Sequence, residues 1–390
     1  MLFILLLLLT LLTKIVPLYY GILALCAVKK PRPIPEAKPK TRFACLIAAR
    51  NEEAVIERSV SALLRQSYPP ELFDVFVIPN NCTDRTAELA ALAGAKLLHC
   101  RKPVHNKGEA LGEAFGLLPG SYDAFCVFDA DNEADENYLR TMNDAVCAGA
   151  GAAKARIMGR NPKESAVSGC YAVYHSIFNH LFDRGRENLG ISAHLVGTGF
   201  LLTRDALNRL GGWHTETMTE DAELAVQLAR IGERVWYVPE AQTRDEAPDS
   251  FRLSLRQRHR WCAGIQLCAR LYSASLLQKF FHSRLAADEF LTLLAPFCQM
   301  LSLFLTPLTL ISGKVGFLPL LLSTGLSYLG TGLLGSLVLL LRKSFRWRTA
   351  FLFPLFMLSW LPLQVAALLS PPKSWKAIPH GRRIREPENR

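Results

Sequence analysis

The chain has 390 residues, of which 50% are hydrophobic and 20% charged, and its formal net charge is +11. A basic chain can bind nucleic acid, but the absence of any zinc-finger, RNP or basic-helix pattern argues against that partner. The ten cysteines form no C-x-x-C pair and no Cys/His cluster with zinc spacing, so we expect small buried residues in a reducing compartment.

Apolar sequence precedes a mixed central region. Residues 1–28 predict a retained transmembrane anchor, because the run exceeds the roughly 20 residues that span a bilayer and lacks a signal-peptide cleavage site. A basic, proline-rich linker is predicted over 29–41, and a globular domain over 42–250. Basic clusters beside apolar runs mark the cytosolic side and attract membrane lipids, which predicts an integral membrane protein with a cytosolic domain.

The globular domain alternates strand and helix patterns. Strands are predicted at 43–49, 74–79, 95–100 and 123–131, and helices at 53–65, 84–95 and 106–118. Such alternation predicts an α/β fold with a Rossmann-like, mostly parallel sheet. In these sheets ligands bind beyond the carboxyl ends of the strands, so polar residues there are the candidates for a site.

The remainder of the chain returns to apolar sequence. Residues 251–285 are predicted to form an interfacial amphipathic region, and 286–370 to contain two or three transmembrane segments at 286–311, 315–341 and 349–370. A third true span would place the basic tail, 371–390, outside the cell against the positive-inside trend. The segment broken by Pro354 and Pro362 is therefore the first candidate for a re-entrant or interfacial helix.

Two polar motifs follow the first two strands. In ARNEE, Asn51 and Glu52 either meet a ligand or form an ordinary helix start, and the residues alone do not decide between these. In PNNCTD, Asp84 favours a helix-capping role. Asn80 lies nearer the strand end and offers one acceptor and one donor to the edge of a base.

Carboxylates dominate the next two motifs. In FDADN, Asp129 and Asp131 can share Mg²⁺ or Mn²⁺, which in turn binds diphosphate oxygens. In TED, Thr219 and the following acids fit a capped helix start. The functional interpretation makes Asp221 a general base that takes a proton from a sugar hydroxyl.

The last motif, QRHRW, lies in a strongly basic stretch. It either forms a solvated or membrane-facing surface, or it places Arg260 near phosphate oxygens and Trp261 against a sugar ring. An arginine fork bonds two phosphate oxygens at once, and an indole face packs on the apolar side of a pyranose.

These motifs occur once each, in one order, and together the sequence resembles glycosyltransferase family 2. The matching features are IAARNEE, NNCTD, NKGEAL, FDADN, VGTGFLLTR, TED and QRHRW, within roughly residues 42–265. Within the family the chain resembles the membrane-bound cellulose, chitin and hyaluronan synthases, and its arrangement of apolar runs is similar to that of the nodulation chitin-oligosaccharide synthases.

The resemblance implies a GT-A fold, a UDP-sugar donor and a Mg²⁺ or Mn²⁺ cofactor. Asp129 and Asp131 would bind the metal, and Asp221 would be the catalytic base. Residues implied to contact donor or acceptor are Asn51, Glu52, Asn80, Asp84, Lys107 with Gly108, Asp129, Thr198 within Gly197–Gly199, Glu220, Gln257, Arg260 and Trp261. Trp375 resembles the tryptophan of a C-terminal gating segment.

The implied activity is inverting transfer of GlcNAc or Glc to a growing β-linked polysaccharide or oligosaccharide at a bacterial cell membrane. The alternative is a non-processive lipid glycosyltransferase that resembles glucosylceramide synthases, with a ceramide or diacylglycerol-like acceptor. One departure bears on the donor: the family usually has Asp where Asn80 stands. Asn80 keeps an acceptor for the uracil N–H but lacks the negative charge.

Overall fold

The structure is a computed structural model that describes residues 2–311, 317–341, 343 and 346–372. The predicted basic tail beyond these positions, including Trp375, lies outside the described residues. The described chain forms two compact units. The sheet unit comprises Arg32–Met158 and Ala193–Glu246, and the helical unit comprises Met1–Pro31, Gly159–Ser192 and Ala247–Lys373.

The sheet unit is built on eight strands in the order β3-β2-β1-β4-β7-β6-β8-β5. The strands are β1 (Phe43–Ala49), β2 (Phe73–Pro79), β3 (Lys96–Leu97), β4 (Ala124–Asp129), β5 (Glu133–Ala134), β6 (Ala152–Gly159), β7 (Phe200–Thr203) and β8 (Val235–Asp245). Strands β3, β2, β1 and β4 run parallel, whereas β7 pairs antiparallel with both β4 and β6, and β5 pairs antiparallel with β8.

The sheet is therefore mixed, which corrects the predicted mostly parallel arrangement. The prediction holds for the first half, where each strand is a continuous apolar run separated from the next by a helix. It fails for the second half because β7 and β6 meet through short antiparallel pairings such as Ala153 with Leu201. An antiparallel neighbour needs no intervening crossover helix, so the strand–helix alternation does not indicate it.

Helices cover both faces of this sheet. They are α2 (Ile56–Leu64), α3 (Thr86–Leu92), α4 (Lys107–Leu117), α5 (Tyr138–Cys147), α8 (Arg204–Arg209) and α9 (Glu220–Arg230), with a 3₁₀ turn at Pro70–Leu72. Alternate residues of β1 enter different cores: Cys45 and Ile47 pack on one face, and Ala44 and Leu46 on the other. That period of two, with both faces apolar, explains why the strand reads as an unbroken hydrophobic run.

The helical unit contains the other helices of the chain. They are α1 (Leu2–Cys26), α6 (Ala166–Ile177), α7 (Arg184–Leu189), α10 (Phe251–Lys279), α11 (Arg284–Ile311), α12 (Phe317–Leu341), α13 (Trp347–Leu358) and α14 (Trp360–Leu369), with a π-helical turn at Phe178–Asp183. Helix α6 lies within the predicted 42–250 domain, but its apolar face, including Val167 and Cys170, packs against Phe353 and Phe356 of α13.

One helical stretch among the described residues, Trp347–Leu369, is long and apolar enough to cross a membrane, with a mean hydropathy of 1.9. Two shorter apolar helices occur at Leu12–Cys26 and Leu329–Leu341. The structure therefore offers one candidate span on length and composition. The full set of flanking transmembrane segments that we expected stays a prediction.

Candidate active site

Three of the predicted motifs meet at one edge of the sheet. Strand β1 pairs with β2 and with β4 in parallel, and the register places Ala49 opposite Pro79 and Ala48 opposite Asp129. Because these strands end at the same level, the loops that carry ARNEE, PNNCTD and FDADN leave the sheet side by side. This is the carboxyl edge at which ligands of α/β sheets bind.

The loops after β1 and β2 are tied to each other by side chains. Asn51, whose φ of 58° is left-handed, accepts a 2.8 Å hydrogen bond from the Thr83 backbone N–H. Asp84 accepts from the backbone N–H groups of Glu53 (3.2 Å) and Thr86 (3.1 Å). Burial opposes ionisation of Asp84, but these bonds and one from the Thr86 hydroxyl outweigh it and lower its pKa. Both side chains thus hold the loops in place, and their contact with a donor stays a prediction.

Asn80 is the first residue after β2, and it is buried, with 5% of its surface exposed. Its Oδ1 accepts a 3.0 Å hydrogen bond from Asn81 Nδ2, which also donates to the Val104 carbonyl at 2.8 Å. The acceptor that the sequence assigns to a base N–H is therefore shared with a neighbouring amide. A nucleotide base that binds here would have to donate its N–H to Asn80 Oδ1 together with Asn81 Nδ2, or in place of it.

Lys107 contacts acidic side chains from two different elements of the site. It begins α4, and its Nζ lies 2.5 Å from Asp129 Oδ1 and 3.2 Å from Glu220 Oε1. Nζ also donates to the Gly197 carbonyl. Burial alone would lower the pKa of this ammonium, but the charges of Asp129 and Glu220 outweigh it and raise the pKa above its ordinary value. Lys107 is therefore a fixed positive charge between two acids.

The 197–199 turn brings Asp221 to this group. A Cβ built at Gly197 would lie 3.4 Å from Lys107 Nζ, 3.5 Å from Glu220 Oε1 and 3.7 Å from Asp221 Oδ2. The missing side chain thus leaves space bordered by all three charges. Thr198 supports the arrangement, because its hydroxyl accepts a 3.0 Å hydrogen bond from the Asp129 backbone N–H.

Asp221 lies in the first turn of α9, where the helix dipole favours an ionised carboxylate. Its Oδ1 accepts from the Ala222 backbone N–H at 2.8 Å. Thr219 occupies the N-cap position, as the helix-start interpretation predicts, but its side chain makes no capping hydrogen bond. Glu223, one turn further on, is fully buried and accepts from the N–H groups of Glu216 and Thr217, which fixes the loop before the helix.

Acidic residues are crowded around Asp131. Burial, together with the charges of Asp131, Asp129 and Asp84, raises the pKa of Glu52 to about 8. Within the described part of the chain, neither side-chain atom of the buried Asn132 has a hydrogen-bond partner. A cation beside Asp129 and Asp131 would relieve the repulsion and could take the Asn132 amide oxygen as a ligand, so these residues fit a divalent metal.

No group of three or more His, Cys, Asp or Glu side chains in the described residues could hold a metal by itself. Mg²⁺ is usually bound through one or two carboxylates together with substrate phosphates and water, so it does not require such a group. Asp129 and Asp131 would supply the protein's share of the ligands.

The QRHRW residues belong to the helical unit, on α10. Gln257 Oε1 accepts a 3.0 Å hydrogen bond from the Tyr171 hydroxyl. Trp261 stacks on Trp360 with ring centroids 6.3 Å apart and 23° between the planes. Arg260 is half-buried on the same helix. Contact of these side chains with a donor or acceptor stays a prediction.

Sequence reasoning missed Arg258, which lies between the residues it selected. Arg258 is fully buried and donates to the Phe356 carbonyl at 2.9 Å and to Ser359 Oγ at 2.8 Å. Its guanidinium carbon lies 4.1 Å from the centroid of the Phe356 ring and 5.3 Å from that of Trp360. The bonds reach the break between α13 and α14, so Arg258 connects α10 to that break.

The mixed α/β sheet, with acids at the ends of its parallel strands, has a GT-A-like arrangement. The sequence model of the glycosyltransferase-like family 2 matches residues 39–264, more than half of the chain. The chain therefore belongs to glycosyltransferase family 2.

Curated relatives agree with this assignment. The probable glycosyltransferase YdaM of Bacillus subtilis is 27% identical over 263 residues, 65% of this chain and 62% of that protein. A beta-monoglucosyldiacylglycerol synthase of Nostoc is 31% identical over 226 residues, which are 56% of this chain and 48% of the relative. The chain thus spans 62% of the length of the first relative and 48% of the length of the second.

A solved structure supports the fold. The mannosyltransferase PcManGT from Pyrobaculum calidifontis, in complex with GDP-Man and Mn²⁺, aligns over 92% of this chain and 99% of its own. The TM-score is 0.58 and the sequence identity 16%, so this similarity concerns the fold.

Proposed function

We propose that the protein catalyses inverting transfer of a hexose from a UDP-sugar to a hydroxyl of a membrane-borne acceptor. The observation that supports this best is the placement of Asp221 beside Lys107 and Glu220, around the space left by Gly197. A carboxylate base, a fixed cation and a pair of strand-end acids are the groups that such a transfer requires.

Asp221 acts as the general base in this proposal. The acceptor hydroxyl gives its proton to the carboxylate while its oxygen attacks the anomeric carbon, and the nucleoside diphosphate leaves from the opposite face. One displacement without a covalent intermediate inverts the configuration, which gives a β-linked product. Positioned bases of this kind contribute about 10²–10⁴ in rate.

In this proposal Lys107, Asp129 and Asp131 bind the donor side of the reaction. Lys107 holds Asp129 through a 2.5 Å contact and so fixes the carboxylate at the end of β4. Asp129 and Asp131 would hold Mg²⁺ or Mn²⁺, which supplies positive charge for the diphosphate of the donor. GDP-Man in PcManGT shows that a relative in fold uses another nucleotide, so Asn80 is the position where the uridine assignment is most directly tested.

For the acceptor, we favour a lipid hydroxyl, and a single sugar transferred to it. The similarity to the synthase whose name specifies a diacylglycerol product supports this choice. The second candidate is a growing β-linked GlcNAc or Glc polymer. It is supported by a probable glucomannan 4-beta-mannosyltransferase of Arabidopsis thaliana, 26% identical over 250 residues, 58% of this chain and 43% of that protein.

A donor screen on the purified protein in liposomes tests both candidates. Radiolabelled UDP-Glc, UDP-GlcNAc, UDP-Gal and GDP-Man are supplied separately, and the products are divided by organic extraction. Label in a single-sugar lipid supports the lipid acceptor, and label in an aqueous, size-heterogeneous product supports the polymer. The UDP-sugar proposal would be contradicted if none of the donors gave incorporation, or if GDP-Man alone did.

A further inference from the structure

An open apolar groove of ≈ 410 Å³ lies in the helical unit, lined by Phe251, Leu352, Leu355, Leu358 and Ser359. Its volume falls in the range of about 300–1,000 Å³ that is typical of small-molecule sites. The lining is hydrocarbon except for the Ser359 hydroxyl. That hydroxyl already accepts from Arg258 at 2.8 Å and donates to the Phe356 carbonyl at 2.7 Å. The groove therefore suits an apolar occupant.

The surface around the groove is also apolar and exposed. Helix α13 exposes 65% of Phe351, 45% of Leu355 and 45% of Leu358. The helical stretch that contains them, Trp347–Leu369, is apolar enough to enter a bilayer. Contiguous exposed hydrocarbon of this kind indicates a membrane or binding surface, because leaving it in water is unfavourable.

Arginines lie at the starts of the two helices that line the groove. Arg252 directly follows the lining residue Phe251 at the start of α10 and is exposed. Arg348 is also exposed and lies four positions before Leu352, which places both on one face of α13. Arg346 precedes α13 and donates to the Lys163 carbonyl, which brings a further basic residue to this end.

We propose that this groove binds an anionic glycerophospholipid of the bilayer. One acyl chain occupies the groove, and the phosphate is bound by Arg252 and Arg348, whose guanidinium groups can each bond two oxygens. A peptide would fit less well, because its backbone N–H and C=O groups would be buried against hydrocarbon without partners. The positive charge at the groove distinguishes an anionic lipid from a neutral one.

Photolabelling of the full chain in liposomes tests this proposal. The probe is phosphatidylglycerol with a diazirine in one acyl chain, mixed into phosphatidylcholine vesicles, with labelled residues identified by mass spectrometry. We expect label on the groove-lining residues of α10 and α13, removed by excess phosphatidylglycerol and not by phosphatidylcholine. Equal labelling by a phosphatidylcholine probe would overturn the proposal, and so would a cross-linked dimer, which would identify a second copy as the occupant.

Variants separate the two parts of the site. Arg252→Gln and Arg348→Gln should each weaken groove labelling about fivefold, as expected for one basic residue near anionic lipid. Arg270→Gln is the matched control, since Arg270 is exposed on α10 about five turns from Arg252. Leu355→Asn, on α13, should reduce labelling of the groove by either lipid probe, whereas Leu277→Asn, at an exposed leucine of α10, should not. Unchanged labelling in both arginine variants would overturn the phosphate assignment.

The inference extends the proposed function but does not depend on turnover. Labelling is read in the absence of any sugar donor, so the groove can be confirmed when no donor is accepted. Conversely, sugar transfer could occur in uncharged vesicles while the phosphatidylglycerol probe gives no specific labelling in mixed vesicles. That result would leave the proposed function standing and contradict the lipid site.

Discussion

Asp221 differs from other acids at helix starts in what surrounds it. Its Oδ2 shares the space at Gly197 with Lys107 and Glu220. We predict that Asp221→Asn reduces turnover by at least about 10², in line with general-base contributions, and leaves UDP-sugar affinity nearly unchanged. Turnover and donor binding are measured on the same protein.

Asp205→Asn is the matched control for this variant. Asp205 is also a first-turn helix acid, on α8, but it is exposed. It should retain wild-type turnover. Loss of donor binding in Asp221→Asn, with turnover per bound donor preserved, would remove Asp221 from the role of base.

Asp131 is predicted to bind the divalent metal. Asp131→Ala should abolish Mn²⁺ binding in the presence of UDP, measured by calorimetry, together with Mg²⁺- or Mn²⁺-dependent turnover. The fold should persist, because the Asp131 carboxylate lies beyond the end of β4 rather than in the apolar layers. Full activity in the variant, or in excess chelator, would contradict the assignment.

Asn80 is predicted to contact the donor base. Asn80→Ala should weaken UDP-sugar binding by about 1 kcal/mol, the typical net value of one hydrogen bond, with little effect on turnover at saturating donor. Because Asn80 also accepts from Asn81, the thermal midpoint is measured alongside the dissociation constant. An unaltered dissociation constant in a stably folded variant would refute the base contact.

The strand-end residues could be located from the sequence, whereas Arg258 could not. Asp129 directly follows an apolar run, so its place at the sheet edge follows from the strand pattern alone. Arg258 lies in a stretch with arginine at 256 and 260 as well, and local sequence does not show which of them is buried. The partners that decide this, Phe356 and Ser359, lie about a hundred positions further along the chain.

At the scale of elements, the break between α13 and α14 depends on α10. Arg258 bonds the last turn of α13 and Ser359 at the break, and Pro362 within α14 cannot donate to the turn before it. We predict that Arg258→Lys destabilises this junction by on the order of 2 kcal/mol, because one ammonium cannot make the same set of bonds within the aromatic rings.

Hydrogen exchange over α13 and α14 measures this effect. Backbone amides near the break should exchange faster in Arg258→Lys than in the wild-type protein. Arg256→Lys serves as control, since Arg256 is exposed on the same helix. Equal protection in both variants would show that Arg258 does not stabilise the junction.

The early elements were predictable, whereas strands β5 and β6 were not. The predicted strand at 43–49 matches β1, and the predicted helix at 106–118 corresponds to α4, Lys107–Leu117. These elements have strong periodicity and clear ends. Strand β6 contains Lys154 and Arg156 within an alanine-rich run, and β5 has only two residues, so neither shows the apolar pattern of a strand.

At the scale of the whole molecule, the predicted membrane topology can be tested directly. The basic residues after Val28 and around Arg346 should face the cytosol. In a chain without its native cysteines, Lys40→Cys and Arg346→Cys should react with an impermeant maleimide only after cells are opened. Labelling of position 40 in sealed cells would refute the cytosolic assignment of the sheet unit.

The division of the chain into units was the part least accessible to sequence. Residues 42–250 resemble one domain because strands and motifs continue across them. Helix α6 departs from that pattern, since its apolar residues find their partners on α13, far along the chain. An amphipathic helix indicates that one face is buried, and does not indicate which element covers it.

This interleaving bears on how the chain can be cut and in what order it can fold. A shortened chain of residues 32–246 would retain Gly159–Ser192 without the C-terminal helices that cover it, and would expose Val167, Cys170 and Tyr171. We expect such a fragment to aggregate. During synthesis the same segment emerges well before α13. Its apolar face therefore stays uncovered until the last quarter of the chain has been made. We therefore expect a chain in which a short polar linker replaces Gly159–Ser192 to aggregate less than the 32–246 fragment.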